Sequence, residues 1–172
     1  PELSDIIVYP IKSTSEISLK NSYLEERGLV LDRRWMVVDD SSQFITQRNN
    51  PEMSLISTEI VESSLRLNAP GMTALQLPLF PTEGQSKIVE IWGDRFEVIK
   101  ANEHSEIWIS DYLRKKCNFV FMPDHSDRQV DQGYSIGNPF IDFSNPNPSK
   151  VLHLGINNNT NKRYQYKILM SK

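Results

Sequence analysis

Short runs of β-branched and aromatic residues, separated by turn residues, dominate the chain up to residue 123. Such runs are typical of strands with at least one buried face. Pro10, Gly28 and the Gly93-Asp94 dipeptide are turn or strand-end signals between them. The runs predict β structure at 6–9, 17–26, 29–31, 35–39, 43–46, 53–60, 64–67, 87–92, 95–99 and 119–122. Many short strands with frequent turns favour an antiparallel β-barrel or sandwich.

The polar pattern indicates two further features before residue 123. Residues 39–42 (Asp-Asp-Ser-Ser) are a turn signal, so 35–39 and 43–46 are expected to form a hairpin. Between 102 and 116 the apolar residues follow helical spacing, with acidic residues early and Arg114, Lys115 and Lys116 late, as the helix dipole prefers. The pattern therefore predicts one α-helix near 103–116, capping an open end of a barrel.

From residue 124 onward the chain becomes polar and rich in proline and asparagine. This composition is typical of an ordered crossing segment or a linker. We therefore expect a β-barrel domain at 1–123 and an irregular C-terminal extension at 124–172. The extension is interpreted as a linker, or as the remnant or replacement of the start of another domain.

Composition excludes several classes of function. The 172 residues are 38% hydrophobic and 24% charged, with a net charge of -3, which argues against nucleic-acid binding. No apolar run is long enough for a membrane helix, and no signal peptide is evident. The single cysteine fits a reducing compartment, so we expect a cytoplasmic protein. Three widely spaced histidines match no zinc pattern, so we expect no metal held by protein ligands alone.

Two polar clusters beside apolar runs are candidates for chemistry. Asp32, Arg33 and Arg34 interrupt an apolar stretch, and buried charges require a partner or a ligand. One interpretation is a strand entrance where Asp32 neutralises one arginine and solvent solvates the other; the alternative is an anion contact. Lys12 and the hydroxyl residues after it form either an ordinary loop or a donor set for a phosphate. Cys117, beside an apolar strand, fits a small buried residue better than a nucleophile.

Four segments in order carry a resemblance to a known family. They read Tyr-Pro-Ile-Lys-Ser at 9–13, Arg-Gly-Leu at 27–29 with Asp-Arg-Arg-Trp-Met-Val-Val-Asp at 32–39, Phe-Ile-Thr-Gln-Arg at 44–48, and Asp-Arg-Gln-Val-Asp at 127–131. Together they resemble the N-terminal β-barrel domain that precedes the MOSC domain in the mitochondrial amidoxime-reducing component and its bacterial relatives. The resemblance spans roughly residues 3–136.

The resemblance implies a molybdenum-cofactor protein that reduces N-hydroxylated compounds. In that family the residues matching Lys12, Ser13 and Arg33 contact the cofactor, and those matching Thr46 and Arg48 lie near it. Molybdopterin carries a phosphate, which suits ammonium, hydroxyl and guanidinium donors. Asp32 is expected to orient a neighbouring arginine.

The chain departs from the family pattern after residue 136. Residues 137–172 do not match the expected MOSC strand and helix, and Cys117 is not at the position of the molybdenum-ligating cysteine. We therefore expect a chain truncated before the MOSC domain, with no catalytic or metal-ligating residue, which alone neither retains the cofactor nor catalyses. Its expected role is an accessory domain of an oxidoreductase, with a missing or separate MOSC domain and an electron-transfer protein as partners. The alternative is a stand-alone, non-enzymatic barrel that binds a small anion or a protein.

Overall fold

The computed structural model describes residues 5–25, 27–91 and 93–126. These residues form a mostly β fold with a single α-helix, as the sequence predicted. The strands are β1 (Ile6–Val8), β2 (Ile17–Leu19), β3 (Leu24–Glu25), β4 (Gly28–Leu29), β5 (Trp35–Asp39), β6 (Ser57–Val61), β7 (Ser64–Asn68), β8 (Leu75–Pro78), β9 (Gln85–Ile91), β10 (Asp94–Lys100) and β11 (Cys117–Phe121). A 3-10 helix spans Pro51–Leu55, and α1 spans Glu103–Leu113. The predicted extension at 127–172 lies outside the described residues.

The described strands pair antiparallel in four sheets. The central sheet has the order β5-β11-β10-β9, and a second sheet has the order β6-β7-β8. Two small sheets pair β1 with β2 and β3 with β4. The antiparallel prediction is therefore confirmed.

Residues 43 and 44 reach both edges of the central sheet. Phe44 forms an isolated antiparallel bridge with Val38 on β5, and Gln43 forms an isolated parallel bridge with Glu90 on β9. Single bridges are not a continuous hydrogen-bonded ladder, so the described sheets are open. Closure into a barrel stays a prediction.

Alternation along β5 and β11 divides the core between the two faces of the central sheet. Side chains at alternate strand positions point to opposite faces. One face carries Trp35, Val37 and Phe119 and packs with α1 and with the leucines of β7 and β8. The opposite face carries Met36 and Val38 and packs with apolar residues of β9 and β10. Helix α1 contacts β11 and β8; its predicted position as a cap on a barrel end stays a prediction.

The helix is shorter than predicted at its C-terminal end. Asn102 is the N-cap, and its side-chain oxygen accepts a hydrogen bond from the backbone N–H of Ser105 at 3.0 Å. Arg114 adopts a left-handed conformation with φ of 50° and ends the helix. Lys115 and Lys116 therefore lie beyond it and instead pair with acidic residues of the Asp39-Asp40 turn. The predicted match between three late basic residues and the helix dipole was wrong.

Several predicted strand bounds also change. The stretch 17–26 is divided between β2 and β3, and 29–31 is cut short because Leu31 has a positive φ of 69°. The stretch 53–60 begins in the 3-10 helix, which follows from Pro51 at its start. Residues 43–46 bridge β5 without forming a continuous strand, so the predicted hairpin is only partly formed. Asp94 already pairs with Ile91, so the β9–β10 turn precedes it.

Candidate functional site

The predicted cofactor-binding loop lies beside the Asp-Arg-Arg segment. The backbone N–H of Arg33 donates to the Tyr9 carbonyl at 2.7 Å, and that of Trp35 donates to the Pro10 carbonyl at 3.0 Å. The backbone N–H of Lys12 donates in turn to the Trp35 carbonyl at 2.8 Å. These bonds join residues 9–12 to residues 33–35 in parallel. Two candidate segments separated by twenty residues of sequence are thus direct neighbours.

Arg33 is held by Asp32 and Tyr9. Its Nη1 donates to Oδ2 of Asp32, and its guanidinium carbon lies 5.0 Å from the centre of the Tyr9 ring. Among the described residues, Asp32 is the acceptor that the Arg33 side chain uses, and 18% of that side chain remains exposed. A guanidinium carries five N–H donors. Within the described residues, the Arg33 guanidinium donors other than Nη1 make no hydrogen bond.

The hydroxyl residues after Lys12 separate into two roles. The Thr14 hydroxyl donates to the Ile11 carbonyl at 2.9 Å, and the Ser15 hydroxyl donates to the Ile56 carbonyl at 3.0 Å. Both hydroxyls therefore stabilise the loop. Ser13 is partly exposed and has a positive φ of 71°. Arg33 also has a positive φ, of 49°, and such backbone conformations in residues other than glycine are enriched at functional sites.

The remaining predicted residues follow the bridge at Phe44. The Lys12 ammonium lies 5.7 Å from the centre of the Phe44 ring, so the 44–46 segment is adjacent to Lys12. Thr46 is partly buried, and its carbonyl accepts a hydrogen bond from the backbone N–H of Asn50 at 2.9 Å. Arg48 is exposed, and within residues 5–126 no described contact joins it to the other candidates. The described backbone bonds therefore join the segment that contains Lys12 to the segment that contains Arg33.

Asp32 connects the two candidate segments. Its Oδ1 accepts a hydrogen bond from the backbone N–H of Tyr9 at 2.9 Å, while its Oδ2 binds Arg33. The expectation that Asp32 orients a neighbouring arginine is consistent with these two bonds. The Tyr9 hydroxyl donates to Glu16 Oε2 at 2.8 Å, and partial burial together with that carboxylate raises the pKa of Tyr9.

Arg34, the second arginine, has a different environment. Its side chain is only 3% exposed, and both Nε and Nη2 donate to the Met122 carbonyl, at 3.1 and 2.7 Å. Nη2 also donates to Asp124 Oδ1 at 2.6 Å, and the guanidinium lies 5.0 Å from the Phe121 ring centre. The interpretation that solvent solvates one arginine was therefore wrong. A signal for this burial was present in the sequence. Extended one residue back from the start of β5, the two-residue alternation puts Arg34 on the same face as buried Met36.

Arg27 also contacts residues 122–126, and this contact was not predicted from the sequence. Its Nη2 donates to the carbonyls of Asp124 and Ser126 at 2.7 and 2.6 Å, and its Nη1 lies 3.4 Å from the Met122 sulfur. Arg27 and Arg34 thus bind residues 122–126 from two sides. We name these two arginines and residues 122–126 the exit contact.

Cys117 is fully buried, and burial raises the pKa of its thiol to about 11. At pH 8 a thiol with that pKa is thiolate about a hundredfold less often than an ordinary one, so we expect iodoacetamide to leave the native protein unmodified. Mass spectrometry before and after unfolding in urea measures this. Equal labelling rates in the two states would contradict the burial of Cys117.

Two kinds of feature have no counterpart among the described residues: a cluster of metal ligands and a membrane-spanning helix. In residues 5–126, with two positions undescribed, no three His, Cys, Asp or Glu side chains are grouped as ligands of a metal ion. No described helix has the length and apolarity required to cross a membrane.

Comparison with known proteins gives several relatives, all of them longer. A molybdenum cofactor sulfurase of Danio rerio is 27% identical over 124 residues, which cover 69% of this chain and 15% of that protein. Mitochondrial amidoxime-reducing component 1 of Xenopus laevis is 27% identical over 118 residues, covering 65% of this chain and 34% of the relative. The Mus musculus protein of that name is 27% identical over 160 residues, covering 83% and 47% respectively. The chain thus spans less than half the length of these relatives.

A solved structure and a family model bear on the fold and the family. The solution structure of a Bordetella bronchiseptica protein aligns with a TM-score of 0.50 and 23% identity, over 64% of this chain and 95% of that chain. That likeness supports the fold alone. The family model of the MOSC N-terminal beta barrel domain matches residues 1–116, well over half of the 172 residues. The chain belongs to the MOSC N-terminal beta barrel domain family.

Proposed function

We propose that this chain is an N-terminal accessory domain of a molybdenum-cofactor-binding MOSC oxidoreductase. Lys12, Ser13 and Arg33 contact the phosphate of the cofactor, and Thr46 and Arg48 lie near it. The single observation that carries the proposal is the backbone pairing of residues 9–12 with 33–35, which brings the two cationic segments together. The relatives named above, whose names refer to the molybdenum cofactor or to amidoxime reduction, support the same class.

The donor set fits a phosphate. Charge-assisted hydrogen bonds from guanidinium and ammonium groups to phosphate oxygens are among the strongest in proteins. Among residues 5–25, 27–91 and 93–126, Arg33 has N–H donors without a hydrogen bond, and the Ser13 hydroxyl makes none, whereas those of Thr14 and Ser15 bond to backbone carbonyls. When bound, the molybdenum cofactor supplies the electron transfer that reduces N-hydroxylated compounds. This chain's residues bind its phosphate end, and none of them is proposed as catalytic.

The same proposal defines what lies outside the domain. We place the domain at 1–123 and a linker or extension at 124–172, supported by the last described strand ending at Phe121. A MOSC domain completes the cofactor site, and an electron-transfer protein supplies electrons. The chain alone neither retains the cofactor nor reduces N-hydroxylated substrates, and it works in the cytoplasm. Turnover by this chain without a MOSC domain would contradict the accessory role.

We also propose that the central sheet closes into a barrel. The bridges from Gln43 to Glu90 and from Phe44 to Val38 support closure, because they link the two edge strands β9 and β5 through one short segment. The apolar cluster that includes Met36, with Phe44 packed against it, would be the barrel interior.

An NMR titration tests the cofactor contacts. We expect inorganic phosphate to shift the backbone amide signals of residues 12–13 and 33 and to saturate at millimolar concentration, as befits half of a site. Molybdopterin is expected to shift the same signals at lower concentration. The amide of Arg66, on β7 in another sheet, serves as the internal control. Shifts confined to β6–β8, or none at all, would contradict the proposed site.

The alternative is a stand-alone, non-enzymatic barrel that binds a small anion or a protein partner. It is supported by the Bordetella bronchiseptica chain, 95% of which is covered by the match, so the matched part of the fold makes up nearly the whole of that chain. Equal affinity for phosphate and molybdopterin would favour an anion-binding module. No response to either would favour a protein partner.

A further inference from the structure

We infer that Tyr9 is a positioning residue of the anion site, whose ring holds the Arg33 guanidinium in its binding orientation. The inference rests on the proposed function, in which Arg33 contacts a phosphate. It adds to that proposal an aromatic residue that makes no bond to the anion itself.

Tyr9 contacts Arg33 through two groups and Asp32 through a third. Its carbonyl accepts the backbone N–H of Arg33 at 2.7 Å, and its ring centre lies 5.0 Å from the guanidinium carbon. Its own N–H donates at 2.9 Å to Asp32, whose second oxygen binds Arg33 Nη1. The Arg33 side chain is therefore contacted by both Tyr9 and Asp32, which are also bonded to each other.

Glu16 fixes the ring that carries the guanidinium. The Tyr9 hydroxyl donates to Glu16 Oε2 at 2.8 Å, so the ring is bonded at its far end as well as through its backbone. Lys12 lies similarly near the Phe44 ring, with 5.7 Å between its ammonium and the ring centre. Both cations of the proposed site thus lie near aromatic rings, which attract cations without occupying their hydrogen-bond donors.

Fixing the orientation of the Arg33 side chain before the anion binds raises the affinity for the anion. A free arginine side chain loses rotamer freedom when it binds a ligand, and a contact that fixes it beforehand removes that loss. Leucine in place of Tyr9 keeps the backbone bonds and the apolar bulk but removes the ring. We therefore expect Tyr9→Leu to weaken phosphate binding roughly tenfold.

The test compares Tyr9→Leu, Tyr9→Phe and the control Tyr112→Phe. Tyr112 also loses one hydroxyl bond, to the Glu52 carbonyl at 2.9 Å, but lies on α1. NMR measures the ring-current shift of the Arg33 Cδ protons and the phosphate dissociation constant of each variant. Tyr9→Leu is expected to lose the ring-current shift and roughly tenfold in affinity, whereas Tyr9→Phe retains the shift and most of the affinity. Tyr9→Gln carries the same test if the leucine variant does not fold.

Two results separate this inference from the proposed function. If Tyr9→Leu abolishes the ring-current shift yet binds phosphate as tightly as the parent protein, the positioning role is overturned and the phosphate site stands. If the parent protein binds no phosphate although its Arg33 protons show the shift, the proposed function is overturned while the orientation of Arg33 by Tyr9 is supported.

Discussion

Replacing Arg34 with alanine is expected to lower the free energy of unfolding by about 1–3 kcal/mol, because it leaves a buried backbone carbonyl without its hydrogen-bond donors. The substitution leaves the Met122 carbonyl without its two guanidinium donors and exposes the Phe121 ring to a cavity. Urea unfolding followed by tryptophan fluorescence measures the change. Since domains of this size are stable by about 5–15 kcal/mol, the variant is expected to stay folded with a clearly lower unfolding midpoint.

Two variants control the Arg34 experiment. Arg34→Lys keeps the charge but loses the fork that reaches the Met122 carbonyl through two nitrogens, so we expect an intermediate loss. Arg66→Ala removes an arginine from an exposed pair with Glu59 and is expected to cost less than either. A loss for Arg34→Ala no greater than for Arg66→Ala would show that the bonds of Arg34 in the exit contact do not stabilise the fold.

The sequence predicted a strand most accurately where the apolar run is continuous. Trp35–Asp39 was predicted with its bounds, because every position from Trp35 to Val38 is buried and apolar. The stretch 17–26 was predicted as one strand because apolar spacing there is loose, and the chain bends between β2 and β3. Positive φ values at Leu31 and Arg114, which end elements early, left no signal because neither residue is glycine.

Prediction of the site from the sequence is limited in the same way, because its contacts join distant residues. Lys12 and Arg33 were connected only by resemblance, since no local pattern reveals that residues 9–12 pair in parallel with 33–35. The two arginines were adjacent in sequence and were treated as one cluster, yet Asp32 pairs with the first and Asp124 with the second. Besides Glu25, at 3.7 Å, Arg34 pairs with Asp124, which is ninety residues away in sequence. Such long-range pairings are fixed by tertiary packing.

The double variant Lys12→Gln/Arg33→Gln is expected to reduce phosphate affinity by roughly a hundredfold or more. Each charged hydrogen bond to a phosphate is worth about 1.5–3 kcal/mol, and 1.4 kcal/mol corresponds to a tenfold change. Arg33 and Lys12 are both partly exposed. The fold should therefore tolerate the change, so the loss reports on binding. An NMR titration with phosphate at 0.1 M salt measures it.

A charge-matched variant decides whether that loss is local. The double variant Arg66→Gln/Lys116→Gln also removes two positive charges, but from exposed pairs with Glu59 and Asp40. Long-range attraction through water is screened within about 10 Å at 0.1 M salt, so this control should bind phosphate almost as the parent protein does. If both double variants lose affinity equally, phosphate responds to net charge and the donors after β1 and before β5 form no site. If only the first loses it, the paired segments at 9–12 and 33–35 bind the anion directly.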